Sequence, residues 1–168
     1  MANTQAMCTS FMGELMTATH NFGVAPIRAV TTVDTFKAAL YLATANTSSS
    51  TTLCASVTAY AATVNTIAEV SGNGYSAGGV TVTFGTPPTA TNSSSTAGVA
   101  FVTPSASITY TNVTLTTAFD AVLIYNSTQS NKAVSVHTFG SQTVTAGTFT
   151  LTMPANTTST ALIRLATT

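Results

Sequence analysis

The stretch "EVSGNGYSAGGVTVTF", residues 69 to 84, contains Gly72-x-Gly74-x-x-Ala77, the spacing of a dinucleotide-binding fingerprint. That chemistry needs free backbone N–H groups at the start of a helix pointing at a pyrophosphate, so its glycines lie between a strand and a helix. The chain continues instead as "GGVTVTF", with apolar residues at every second position, the period of a strand. Gly72, Gly74, Gly78 and Gly79 are therefore expected to supply positive φ in a turn between strands, and no phosphate site is expected.

The other residues that could do chemistry are few: two His, two Asp, two Glu and two Cys. A triad would have to combine His20 or His137 with Asp34 or Asp120 and one of the 17 serines. Each histidine has a structural reading. His20 is expected at the C-terminal end of an opening helix, where it complements the helix dipole. His137 shares a strand face with Ala133, Ser135 and Phe139 and reads as a satisfied sheet residue. No group of His, Cys or carboxylates has metal-ligand spacing, so neither metal nor cofactor is expected, and no enzyme. Cys8 and Cys54 read as reduced thiols.

Composition narrows the function classes further. Charged residues make up 5% of the 168 and cancel to zero, whereas an ordinary soluble domain has about 25%. Hydroxyls take their place, with 38 Thr and 17 Ser, and β-branched Thr favours strands. A neutral surface does little to keep copies apart, so an assembled protein is expected. Four scattered basic residues cannot bind nucleic acid by counterion release, nor hold an anionic membrane surface. The longest apolar runs, such as "AALYLA" at 38 to 43, fall far short of the roughly 18 residues that a spanning helix needs. The opening "MANTQAMCTSFMGELM" lacks a basic start and carries Glu14 in its apolar part, so a secretory signal is not expected.

These residues must be placed by one domain. In 4 to 22, Cys8, Phe11, Met12, Leu15 and Met16 recur at helical spacing, predicting an amphipathic helix within 1–23 that packs on its own sheet or on a neighbouring subunit. From Phe36 the period changes to two. "FKAALYL", "VTVTF" and "VTL" read as half-buried strands, and "FDAVLIYN" and "AVSVHTF" as two strands joined by a polar loop that includes Lys132. "TFTLTM" and "ALIRLA" read as another pair. The Ser/Thr-rich stretches near 43–56 and 85–98 read as loops or extended arms. The expected fold is mainly β: an antiparallel β-sandwich or jelly-roll-like domain over 24–168, with about eight to ten short strands and the helix in front. Residues 121 to 125 are its expected core strand, and Asp120 could form a structural ion pair with Arg164 if their strands are neighbours.

Taken in order, "CTSFMGELMTATHNF", "DTFKAALY", "EVSGNGYSAGG" and "AVLIYNSTQSNKAVSVHTFG" resemble a group of small virion structural proteins of tailed bacteriophages. The resemblance spans most of the chain and implies a particle component, assembled in the host cytoplasm. The first expectation is a capsid decoration or cement protein, a trimer or other small oligomer, bound over junctions of the major capsid protein. A tail, connector or baseplate component is the alternative. A third reading is a host-carbohydrate-binding surface module, using Tyr41, Tyr60, Tyr75, Tyr110 or Tyr125 as stacking platforms.

Overall fold

The computed structural model describes residues 5–7, 11, 15, 19–20, 22, 33–42, 53, 55–93 and 96–166. They are mainly β, with antiparallel pairing and almost no helix. Five strands form the main sheet, in the order β1 (Gln5–Met7), β9 (Lys132–Leu151), β8 (Ile108–Asn126), β2 (Phe36–Leu42) and β5 (Val80–Val82). β10 (Ile163–Ala166), β7 (Thr96–Val102) and β6 (Thr89–Ser93) form a second sheet, in that order. β3 (Thr63–Val64) and β4 (Ile67–Ala68) make a small hairpin whose turn residues, Asn65 and Thr66, both have positive φ. That is the geometry of a two-residue turn matched to strand twist.

β8 is the spine. Every residue from Phe119 to Asn126 is buried, which agrees with the expected core strand at 121 to 125. It pairs with β9 on one edge (Val122↔His137, Leu123↔Val136) and with β2 on the other (Ala38↔Ile124, Leu40↔Val122). The expected loop between β8 and β9 forms over residues 127 to 131. Asn126 closes it by accepting at Oδ1 from the backbone N–H groups of Thr128 and Gln129, both at 3.1 Å, while Ser130 and Asn131 turn the chain with positive φ. Lys132 lies beyond that loop, half-buried at the start of β9.

Four expectations are corrected. "VTL" at 113 to 115 is no separate strand but part of the 19-residue β8, which crosses register shifts without ending. "TFTL" is the end of β9 and returns to the start of β8 (Ile108↔Leu151), while the "ALIRLA" strand, β10, pairs with β7. The stretch 85–98 is not a loop throughout, since β6 and the start of β7 lie in it and pair with each other. The amphipathic helix is not seen. Gln5–Met7, inside its expected span, is a strand on β9, because an extended segment there satisfies the outer edge of Ser135 to His137. Among the described residues of that span only Phe11 and Leu15 have helical backbone, and Cys8, Met12 and Met16 lie outside the described residues. Of 43–56, residues 53, 55 and 56 are described, with Leu53 in the core.

One core serves both sheets. Val102 and Ile163 of the second sheet belong to the same buried cluster as Leu40, Leu115, Val122 and Ile124 of the first. Phe11 is fully buried in it, edge-on to Phe22 at 5.9 Å, and Phe22 stacks on Phe36 at 4.5 Å. Of the five residues singled out for helix packing, the two described ones thus pack within their own chain, Phe11 inside the core and half-buried Leu15 against it.

The turn reading of the glycines holds for Gly74, Gly78 and Gly79, all with positive φ, and β5 comes next where a phosphate site would need a helix. Gly72 differs: it is required because a Cβ there would collide with the carbonyl oxygen of Thr114. At Gly79, φ is +71° and a Cβ would strike the carbonyl oxygen of Ala38 in β2. Gly79→Ala is therefore expected to destabilise by about 3 kcal/mol or more in denaturant unfolding, since strain and backbone collision add. Gly140→Ala, where nothing lies within 4 Å, is expected to stay within about 0.5 kcal/mol of the parent.

Candidate functional site

β2 is buried along Ala38 to Tyr41, so its backbone must be satisfied on both edges. β8 covers one edge, but β5 covers the other only from Phe36 to Ala38. Beyond that the segment 69 to 75 takes over. The Leu40 N–H donates to the Tyr75 hydroxyl at 3.0 Å, and the Val70 N–H donates to the Leu40 carbonyl at 3.0 Å. Glu69 locks the segment in place. Its carboxylate accepts from the Tyr75 hydroxyl at 2.6 Å, the Tyr60 hydroxyl at 2.8 Å and the Gly78 N–H at 2.8 Å. The other three tyrosines donate to backbone carbonyls around it: Tyr41 to Ala61 at 2.6 Å, Tyr110 to Ala38 and Tyr125 to Gly78, each at 2.8 Å.

All five phenols are thereby held in the neutral form. Burial raises Tyr41, Tyr75, Tyr110 and Tyr60 well above the usual value near 10, with the Glu69 charge adding to each, and pushes Tyr125 up to about 12 for the same two reasons. The rings face inward. Tyr41, Tyr110 and Tyr125 are buried, and half-buried Tyr60 stacks on Tyr125 at 4.5 Å. Of the five tyrosines named as sugar-stacking platforms, Tyr41, Tyr110 and Tyr125 thus have their rings inside the fold, while Tyr60 and Tyr75 are half-buried.

A second polar cluster sits where β8 ends. The Asn126 amide donates to Asp34 Oδ2 at 2.8 Å and approaches His20 Nδ1 at 3.0 Å, while Gln129 donates to Asp34 Oδ1 at 3.2 Å. His20 is buried, 4.8 Å from the Phe11 ring, in an aromatic core, and the residues that would set it at a helix end lie outside the described residues. Asp34 and His20 do meet, each hydrogen-bonded to the Asn126 amide. Asp120 is fully buried on β8, while Arg164 is exposed on β10 in the other sheet, with its Nη1 donating to the Ser159 carbonyl at 2.9 Å. The strands are not neighbours, so the premise of the expected ion pair fails.

The sequence inventory misses one motif. Gly74-Tyr75-Ser76-Ala77-Gly78 spells the G-x-S-x-G of a nucleophile elbow, which needs a strand before the serine and a helix after it. Here the pentapeptide lies in turns, closed by a Gly79 N–H to Ser76 carbonyl bond of 2.9 Å, and runs into β5. Ser76 is exposed, and the described histidines bond elsewhere, His20 to Asn126 and His137 to Ser135.

His137 lines a concavity. A cavity of about 450 Å³ lies between Val122, Ile124, His137 and Phe139 of the main sheet and Met153 and Leu162 of the segment joining β9 to β10. His137 Nε2 is 3.0 Å from Ser135 Oγ, and burial pulls its pKa down to about 4. Among the described residues no group of three or more His, Cys, Asp and Glu is placed to hold a metal ion. No described helix is long and apolar enough to cross a membrane. Comparison with protein-family models, curated proteins and solved structures gives no match.

Two measurements test the tyrosine cluster. Glu69→Ala strips the acceptor from two hydroxyls and a backbone N–H and is expected to cost about 3 kcal/mol in denaturant unfolding; Glu69→Gln, which keeps one oxygen, should cost about half that. In alkali the sign is set by the raised values: the unfolded chain loses its phenolic protons near pH 10 while the fold keeps them. Stability is thus complete below about pH 10 and is lost as the pH rises through the folded values. Tyrosinate absorbance should stay flat past pH 11 and then rise together with the loss of β circular dichroism. Ionisation of several tyrosines at pH 10 in the folded protein would contradict the geometry.

Proposed function

We propose that this chain is a structural protein of a tailed-bacteriophage particle: a decoration or cement protein that binds the head over junctions between major capsid subunits. The two sheets then act as the layers of a sandwich-like subunit that works as a small homo-oligomer, without catalysis. One observation carries the reading. Of the six charged residues among those described, only Arg164 is exposed; Asp34 and Asp120 are buried, Glu69 is tied to tyrosines, and Lys37 and Lys132 are half-buried. Ordinary soluble domains present their charge to water. This surface instead offers neutral hydroxyls, as on the outer half of the β8–β9 hairpin, where Thr109, Thr111, Thr116, Thr143, Thr145, Thr148 and Thr150 are exposed.

Such a surface suits permanent burial against neighbours, because hydroxyls and methyls are shed from water at less cost than ions. The order of motifs from "CTSFMGELMTATHNF" to "AVLIYNSTQSNKAVSVHTFG" points the same way, through its likeness to virion structural proteins. The same surface would serve a tail or baseplate ring, and the test separates the two. Purified protein is added to heads that lack it and to isolated tails, and binding is followed by sedimentation from 50 mM to 1 M salt. Binding to heads that changes less than about twofold over that range is expected, since few charges are available to be screened. Binding to tails alone would select the tail reading, and binding to neither at any salt would overturn both.

A further inference from the structure

The cavity holding His137 is more than a packing defect. Its sheet wall is fixed by the β8–β9 ladder, in which Val122 and His137 are direct partners. Its other wall is a braced segment: Thr160 Oγ1 donates to the Ala155 carbonyl at 2.7 Å, the Ala161 N–H to the Thr157 carbonyl at 3.1 Å, and the Leu162 N–H to Thr103 Oγ1 at 2.9 Å. Both walls are thus held by hydrogen bonds of the chain itself. At about 450 Å³ the cavity falls in the range of roughly 300–1,000 Å³ usual for small-molecule sites.

The lining defines what would fit. Val122, Ile124, Phe139, Met153 and Leu162 offer apolar surface, and no charged side chain lines the hollow among the described residues. An ionised ligand would lose its water with no counter-charge in return. The polar lining is His137 with the hydroxyl residues Thr138, Thr152 and Thr160, of which Thr160 is engaged with the Ala155 carbonyl; His137 is the titratable one and supplies the polar pole. With Nε2 engaged by Ser135, its Nδ1 is the ring nitrogen left for a ligand. Burial keeps the imidazole neutral at physiological pH, and a neutral imidazole can present Nδ1 as donor or acceptor according to tautomer.

We propose that this cavity binds a small uncharged molecule with an apolar body and one hydroxyl or carbonyl group, the polar group meeting His137. Nothing in this depends on where in a particle the chain resides.

The test uses the full chain and 4-propylphenol at pH 7, followed by NMR of the Met153 methyl and His137 ring signals. Saturable shifts centred on those two residues are expected. Leu162→Trp, at a half-exposed position, should fill the hollow and weaken binding more than tenfold while leaving the folded spectrum elsewhere unchanged. His137→Phe should weaken 4-propylphenol roughly three- to tenfold, the effect of one hydrogen bond, and leave propylbenzene unaffected. No saturable shift in the parent protein, or equal affinity in Leu162→Trp, would overturn the proposal. So would Met153 shifts that appear on simple concentration without the phenol, which would assign the hollow to a side chain of a second copy.

Discussion

The edge of a buried strand has to be closed, and in this protein one carboxylate arranges the closure. β2 lies inside the main sheet with β8 along one edge, yet on the other edge its regular partner β5 stops at Ala38. On that edge, from Leu40, the backbone is satisfied by a segment without regular structure, whose position depends on Glu69 holding two tyrosine hydroxyls and a backbone N–H at once. A charged acceptor suits the task because its hydrogen bonds are stronger than neutral ones and it can receive several donors. Gly78 and Gly79 then let the chain pass close enough to β2 to enter β5. The polar knot, the turn and the sheet edge form one constraint.

Much of the sheet was legible because its sequence has contrast. "AVLIY" is apolar on both faces and has turn residues after it, so period and punctuation alone imply a central strand with a hairpin beyond it. Contrast fails where threonine fills both faces. In β6 and β7, "TATNS" and "TAGVAFV" look like linker composition, and only pairing with each other and with β10 makes them a sheet. The continuity of β8 was hidden in the same way, since bulges reset the two-residue alternation by which a strand is recognised.

The site residues were legible in kind but not in arrangement. Tyrosine has an apolar body and a polar tip, so its type alone does not say whether the ring faces a ligand or a core. Glu69 takes hydroxyls 9 and 6 residues away, but the carbonyls that take the Tyr110 and Tyr125 hydroxyls lie 72 and 47 residues away, and none of these acceptors carries a local signature. His20 shows the same limit: its contacts with Asn126 and Phe36 are set by tertiary packing. Gly74 to Gly78 show the reverse case, a local spelling of a catalytic turn that its surroundings make a plain one. Charge was the most informative quantity. Its scarcity was evident from composition, and the fold then turns most of what remains inward.

A molecule with one exposed charge among its described residues has little electrostatic reason to stay dispersed, and the proposed place in a phage particle rests on that property. The most direct measurement is a reconstruction of the purified particle at a resolution that traces β-strands. The account predicts this chain in many symmetry-related copies on the outer face of the head, with its threonine-rich hairpin surface against neighbouring subunits. Particles complete to the same resolution, with no density for the chain and none of its peptides in their mass spectrum, would contradict it.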